Sequence, residues 1–450
     1  MEEIKDLLRK LEPLIGDKAK GLWYLNLLSK DPKAKSLNKD LLRLLADKKV
    51  KQNYQEAIRL PPPSNEKLDG EYNIGTVIYP DEEFTEFGLR EEEFIKHIMI
   101  VGMTGSGKTN LGFHILRQLV KHQKPFLVFD WKRSYRDLKQ FPEFNDLKII
   151  RLGSPECDFK FNPLIPPPGV HEKHWMAMLI DVIKHAFFVA HGVEYFLRKG
   201  IDDLYNQFQR YKGRQNYPTF EDLEKVLRKE FTRGREMLWM SSAKRVLASL
   251  TFSGLLGEVL NVRNHKSIDE LLNQKVIIEM DNLATIEKIF FIEALLLWIY
   301  EYRKLEGKRE SFKHCILIEE AHHVLSKKKE SSSGEENIIE TIIRMIREFG
   351  ESVVVIDQEP SKLSNSIKAN TNCKICFTLG NGSDISIIAK SMNMTNEQKR
   401  MIDKLKTGHA IVKIKNRFDE PIHLKIPHVK IKKGLLSDYK NELNSSVGIP

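Results

Sequence analysis

Cysteine is scarce in this sequence. The chain of 450 residues has four, at positions 157, 315, 373 and 376. They are too few and too scattered to staple a chain of this size, so a disulfide framework is excluded and a reducing compartment is expected. Long apolar runs are also missing. The most apolar stretch, 289–302, is too short to span a bilayer and carries Glu293, so it reads as a buried helix. The N-terminal MEEIKDLLRK starts acidic and amphipathic and lacks the plan of a secretory signal. These absences point to a cytoplasmic protein with no membrane contact. Internal repeats are absent, and the one low-complexity piece is Lys327 to Glu336. Zinc spacing is missing as well: Cys373-Lys374-Ile375-Cys376 has no second such pair, and Glu320-Ala321-His322-His323 is not a metalloprotease helix.

What is present is the make-up of a folded protein, 41% hydrophobic and 30% charged, with length enough for two domains or one large domain with an annex. Lys and Arg number 72 against 62 for Asp and Glu, a net charge of +10 that favours a polyanionic partner. Residues 1–60 carry leucines at helical spacing and are expected to form a small helical module, followed by a Pro-rich linker at 61–71. From residue 72 short β-branched runs alternate with helical patterns, the signature of an α/β fold with a mainly parallel central sheet. Expected strands are Ile74–Tyr79, Ile98–Val101, Phe126–Asp130, Lys148–Leu152, Val276–Met280, Cys315–Ile318, Val353–Ile356, Ile375–Leu379 and Ala410–Ile414. The core is thus expected over 72–165 and 263–430, interrupted by a helical insertion at 166–262, with a tail at 431–450.

Between the strand ending at Val101 and a helix starting near Lys108 stands GMTGSGKT, Gly102 to Thr109. Strand, glycine-rich turn and helix N-terminus aim backbone N–H groups at one anion, which makes a P-loop for nucleotide phosphates. The binding set expected is Gly102, Thr104, Gly105, Ser106, Gly107, Lys108, Thr109 and Asn110. In that arrangement Lys108 neutralises the β and γ phosphates of ATP and Thr109 ligates Mg²⁺. Transfer of the γ phosphate also needs an acid on the metal shell and a base on the attacking water. The apolar strand ending in Glu319-Glu320 supplies both, Glu319 for Mg²⁺ and Glu320 as general base. A second strand ends in Asp357-Gln358, which puts Gln358 beside the γ phosphate as a sensor.

The order His97, GMTGSGKT, LVFDWKRSYRDL (127–138), FNPL (161–164), LIEEAHHVL (317–325), IRMIREFGESVVVIDQEPSKL (343–363) and FTLGNG (377–382) resembles the HerA-type branch of the HerA and FtsK superfamily. The resemblance covers about residues 72–430 and implies RecA-like subunits in a ring, a hexamer, that moves double-stranded DNA on ATP hydrolysis and works with a nuclease or other effector. It also implies that Arg347 and Lys96 act on a neighbouring subunit's nucleotide. The family's acidic strand usually ends Asp-Glu rather than Glu-Glu, its arginine before the histidine is Lys96 here, and its N-terminal β-barrel is replaced by expected helices. Lys132, Arg133 and Arg136 after the second core strand, and Lys327, Lys328 and Lys329 after the acidic strand, are the residues expected to face DNA phosphates. A nucleotide-gated scaffold that recruits an effector and a conjugation or plasmid-transfer motor are the alternative readings.

Overall fold

A computed structural model describes residues 60–79, 82–213, 216–251, 255–265, 268–307, 309, 311–327, 338–432 and 434. Residues 1–59 and 435–450, which hold nearly all of the expected helical module and tail, lie outside the described residues, as do Lys328 and Lys329. The chain divides into two compact units, Met1–Pro62 with Ile78–Phe84, and Pro63–Val77 with Thr85–Pro450. In the first, Tyr79 donates its N–H to the Glu82 carbonyl at 2.9 Å. The second holds the core.

Among the described residues eleven strands run β1 (Tyr72–Ile78), β2 (Glu83–Leu89), β3 (Ile98–Val101), β4 (Phe126–Asp130), β5 (Lys148–Arg151), β6 (Lys275–Glu279), β7 (His314–Ile318), β8 (Glu351–Asp357), β9 (Cys373–Cys376), β10 (His409–Ile414) and β11 (Ile422–Lys425). They form one sheet in the order β2-β1-β11-β10-β9-β3-β8-β7-β4-β6-β5. From β9 to β5 every neighbour is parallel, whereas β10 runs antiparallel to β9 and β11, and β11 antiparallel to β1. The mainly parallel sheet is as expected, with two strands, β2 and β11, that the sequence reading omitted. The run FTLG also differs: β9 ends at Cys376 rather than Leu379, and residues 377–380 leave the sheet as a loop.

The central strands are buried on both faces, which is why β3 and the middles of β4, β7 and β8 read as apolar runs. Helix α1 (Lys108–Lys121) covers one face with Leu111, Ile115, Leu116 and Leu119 at helical spacing. A helical layer follows β5: α2 (Glu172–Phe187), α3 (His191–Gln207), α4 (Phe220–Lys229) and α5 (Glu236–Thr251). Thr219 starts α4 with a capping box, its hydroxyl accepting from Asp222 N and its own N–H donating to the Asp222 carboxylate. Asn162 of FNPL, fully buried, ties both ends of this layer together. Its Nδ2 donates to the Pro218 and Val262 carbonyls at 2.9 and 2.8 Å, and its Oδ1 accepts from Leu164 N at 2.9 Å. The apolar stretch 289–302 lies in α6 (Thr285–Glu306), where Phe290, Leu295, Trp298 and Ile299 are buried. Among the described residues no helix is long and apolar enough to cross a membrane.

Candidate active site

The C-terminal ends of β3, β8 and β7 are adjacent and place three motif segments side by side. After β3 the loop turns on Gly105 and Gly107, with φ of 79° and 120°, a region L side chains rarely adopt. A Cβ on Gly102 would lie 2.6 Å from Phe377 Cβ and 2.7 Å from Ser106 Oγ, so only glycine fits. Gly107 caps α1, whose first N–H groups have no intrahelical acceptor and point outward for an anion. Ser106 Oγ is buried without a hydrogen-bond partner, an orphan that a phosphate oxygen would satisfy. The Lys108 ammonium lies back across the loop, donating to the Gly102 and Met103 carbonyls at 2.6 and 2.9 Å. Burial pulls its pKa down to about 8 against the upward pull of Glu320, Asp357 and Glu319. Asn110 stands apart from this cradle: its amide donates to the Pro427 carbonyl at 2.8 Å and its Oδ1 accepts from Val429 N at 2.8 Å.

Beyond β7 the two glutamates part. Glu319 is buried and accepts from Tyr135 Oη at 3.1 Å. Burial, then the charge of Asp130, pushes its carboxyl up to about 8. Two buried carboxylates that raise each other's charging cost are the donor chemistry that a divalent cation relieves. Glu320 sits in the left-handed region with φ 46° and ψ 43°, a strain of about 1 kcal/mol for a side-chain-bearing residue. It faces the loop and Gln358. Gln358 Nε2 donates to Glu320 Oε1, and Thr104 Oγ1 donates to Gln358 Oε1 at 2.5 Å. The structure therefore brings Glu320 and Gln358 together with Thr104 of the loop on one cleft of about 370 Å³, lined also by Met103 and Asn381.

Two residues that the sequence reading passed over organise this end of the sheet. Asp357 accepts from His322 N at 2.7 Å and His322 Nδ1 at 3.0 Å. Burial works against a charge on His322, yet the Asp357 carboxylate outweighs it and raises that pKa. Asp130 accepts from Lys132 N at 3.0 Å and Tyr135 N at 2.9 Å, which fixes the loop after β4. Both aspartates end core strands, as Glu319 nearly does, and that shared position was the available signal. Nothing local marked Tyr135. His323 stacks on Trp131, with centroids 4.6 Å apart. Among the described residues no group of three or more His, Cys, Asp or Glu could hold a metal ion by itself.

The residues expected to face DNA are largely engaged. Arg136 makes a two-pronged contact to the fully buried Glu279, Nε donating at 2.7 Å. A guanidinium that leaves a buried carboxylate gives up its strongest pairing. Arg133 lies 3.8 Å from Glu279 and 3.7 Å from Asp281. Lys132 pairs with Glu320 at 2.5 Å. Lys327 donates its backbone N–H to the Lys362 carbonyl at 2.8 Å, near the edge of the described residues.

Lys96 and Arg347 lie elsewhere. Lys96 is two residues before β3 and Arg347 four before β8, at the N-terminal ends of strands whose C-terminal ends carry the loop and Gln358. At roughly 3.3 Å per residue, the seven residues of β8 separate Arg347 from its own P-loop by roughly 20 Å.

Fold and loop define a P-loop ATPase. Residues 72–180 match the family described as helicase HerA, central domain. The DNA double-strand break repair helicase HerA of Saccharolobus solfataricus is 24% identical over 361 residues, covering 76% of this chain and 66% of that protein. Its counterpart in Sulfolobus acidocaldarius is 24% identical over 371 residues, with 79% and 69% covered. This chain thus spans about two thirds of the length of these relatives. Among solved structures, VirB4 of Thermoanaerobacter pseudethanolicus superposes with a TM-score of 0.61 at 15% identity, over 80% of this chain and 98% of that one. Plasmid coupling protein TrwB in complex with ADP and Mg²⁺ gives 0.55 at 13% identity, over 77% and 88%. These two likenesses show the fold. Within the P-loop ATPases, the resemblance of this chain is to the HerA type, as the order of its motifs implies.

Proposed function

We propose that this chain is an ATP-driven translocase or helicase of double-stranded DNA that works as a ring, a hexamer, in the cytoplasm. The observation that carries the reading is the division of the reaction parts between the two ends of one parallel sheet. Lys108, Glu319, Glu320 and Gln358 stand at the C-terminal ends of β3, β7 and β8, and Lys96 and Arg347 at the N-terminal ends of β3 and β8. An arginine so far from its own loop is placed to serve a neighbour's, and head-to-tail contacts of this kind form rings when the rotation between copies closes. Completing each site with a neighbour's cation makes hydrolysis depend on assembly.

In this reading the loop amides and Lys108 bind and orient the phosphates, and Thr109 with Glu319 holds Mg²⁺. The bound cation supplies charge neutralisation on the phosphate oxygens. Glu320 takes the proton of the attacking water and Gln358 orients that water. Arg347 and Lys96 of the adjacent copy stabilise the charge that develops on the transferred phosphoryl group. The net charge of +10 suits a phosphodiester track read without base contacts. A nuclease or other effector as partner, in repair or defence, follows from the HerA resemblance.

The test is ATP hydrolysis with and without linear duplex DNA, a Lys108→Ala control, and the mass of the assembly in solution. Stimulation by duplex in a ring-sized particle supports the translocase. Slow hydrolysis indifferent to DNA in the same ring removes it in favour of a nucleotide-gated scaffold. A plasmid-transfer motor would share the stimulation and differ in needing a membrane-bound partner.

A further inference from the structure

Glu320 is not free to act as a base in this structure. Its Oε1 accepts from two donors at once, Gln358 Nε2 and the Lys132 ammonium, the latter at 2.5 Å. Its other oxygen lies 3.8 Å from His322 Nδ1. A carboxylate oxygen that already accepts from two donors has its lone pairs turned away from an attacking water.

The two members of the ion pair differ in exposure. The Glu320 side chain is 14% exposed and the Lys132 side chain 58%. Lys132 stands on a stiff mount: Asp130 accepts its backbone N–H and that of Tyr135, and Trp131 beside it is buried and stacked on His323. Its ammonium can therefore swing outward while its backbone stays in place, and a half-exposed ion pair is weak enough to be exchanged.

The chemistry that would compete for that ammonium is a phosphate oxygen, and two sources carry one: the nucleotide and the DNA backbone. The sheet favours the second. β4 lies three strands from β3, about 14 Å at roughly 4.8 Å per strand, so the backbone of Lys132 is mounted away from the P-loop and its half-exposed ammonium has room to turn from Glu320 towards solvent. We propose that Lys132 is a positioning residue that restrains Glu320 until a phosphodiester of bound DNA takes its ammonium, so that one side chain couples DNA contact to water activation. This rests on the reading of the chain as a DNA translocase. It gives Lys132 both a DNA contact and a restraint on the base, where Arg136 on the same loop has only a structural partner.

The experiment is steady-state ATP hydrolysis by the full chain, wild type, Lys132→Ala and Lys132→Arg, with and without linear duplex DNA. Lys132→Ala should raise the DNA-free kcat about two- to fivefold, the weight of a half-exposed ion pair, bring the stimulation ratio close to one, and leave KM for ATP unchanged. Lys132→Arg should restore the restraint and the stimulation. A Lys132→Ala enzyme with wild-type basal rate, whether or not stimulation survives, overturns the proposal. So does loss of all hydrolysis, which would make the lysine part of the reaction, or a raised KM with stimulation intact, which would assign it to the nucleotide. A wild type indifferent to DNA sinks the translocase reading instead, and the basal rate of Lys132→Ala then decides the restraint by itself.

Discussion

His97 Nε2 donates to the Ile343 carbonyl at 2.6 Å, and the other ring nitrogen, Nδ1, accepts from Val353 N at 3.0 Å. A carbonyl only accepts and an amide N–H only donates, so the ring is neutral with its proton on Nε2. The residue pins the start of β3, the start of β8 and helix α7 (Ile338–Ile346), which leads directly into Arg347.

This pin predicts an acid-labile fold. Burial lowers the His97 pKa from 6.5 to about 4, with the Arg347 charge acting in the same direction. The folded chain then binds fewer protons than the unfolded chain between those values. The stability from His97 is complete above pH 6.5 and is lost as pH falls towards 4, a total of about 3 kcal/mol. Urea melts at pH 7 and pH 5 should show wild type losing about 2 kcal/mol more than His97→Phe, whose ring has no proton to take up.

Glu320→Gln should lower kcat about 10²- to 10⁴-fold while nucleotide binding persists, because an amide cannot take the water's proton. Lys108→Ala should instead lose binding. Equilibrium titration with a fluorescent ATP analogue, beside the hydrolysis assay, separates the two.

Arg347→Ala and Lys108→Ala should each be inactive alone and recover activity when mixed. In an equal mixture about one quarter of interfaces join an intact loop to an intact arginine of the next copy. Recovery is read as hydrolysis after co-refolding or subunit exchange, and no recovery at any ratio would place Arg347 in its own subunit's site.

Arg136→Met should behave as a stability variant. With Glu279 wholly buried, removing its two-pronged partner leaves the carboxylate only the longer 3.8 Å approach of Arg133 and should cost up to about 3 kcal/mol in a denaturant melt. Glu279→Met combined with Arg136→Met should recover much of that loss. The salt dependence of DNA binding should keep its slope in the double variant, whereas loss of a true phosphate contact would lower it by about one.

What the sequence determined by itself was local. Gly102 to Thr109 declares its loop because strand, glycines and helix start are contiguous, and the short distances along the chain leave one way to fold them. The runs Ile98–Val101, Phe126–Asp130 and Cys315–Ile318 were legible as strands because a parallel sheet buried on both faces needs unbroken apolar residues. β2 was not, because Glu83–Leu89 is exposed over its first half and reads as polar, and β11 is four residues long. Tertiary structure decided the rest. Only the strand order set Gln358 and Thr104 beside Glu320, brought Lys132 to a carboxylate 188 residues away, and gave Arg136 to Glu279 across 143. It also sent Arg347 to the far end of the sheet from its own loop. Charge and spacing along a chain cannot distinguish a lysine facing solvent from one restraining a base, because the partner's position is fixed by the order in which distant strands pair.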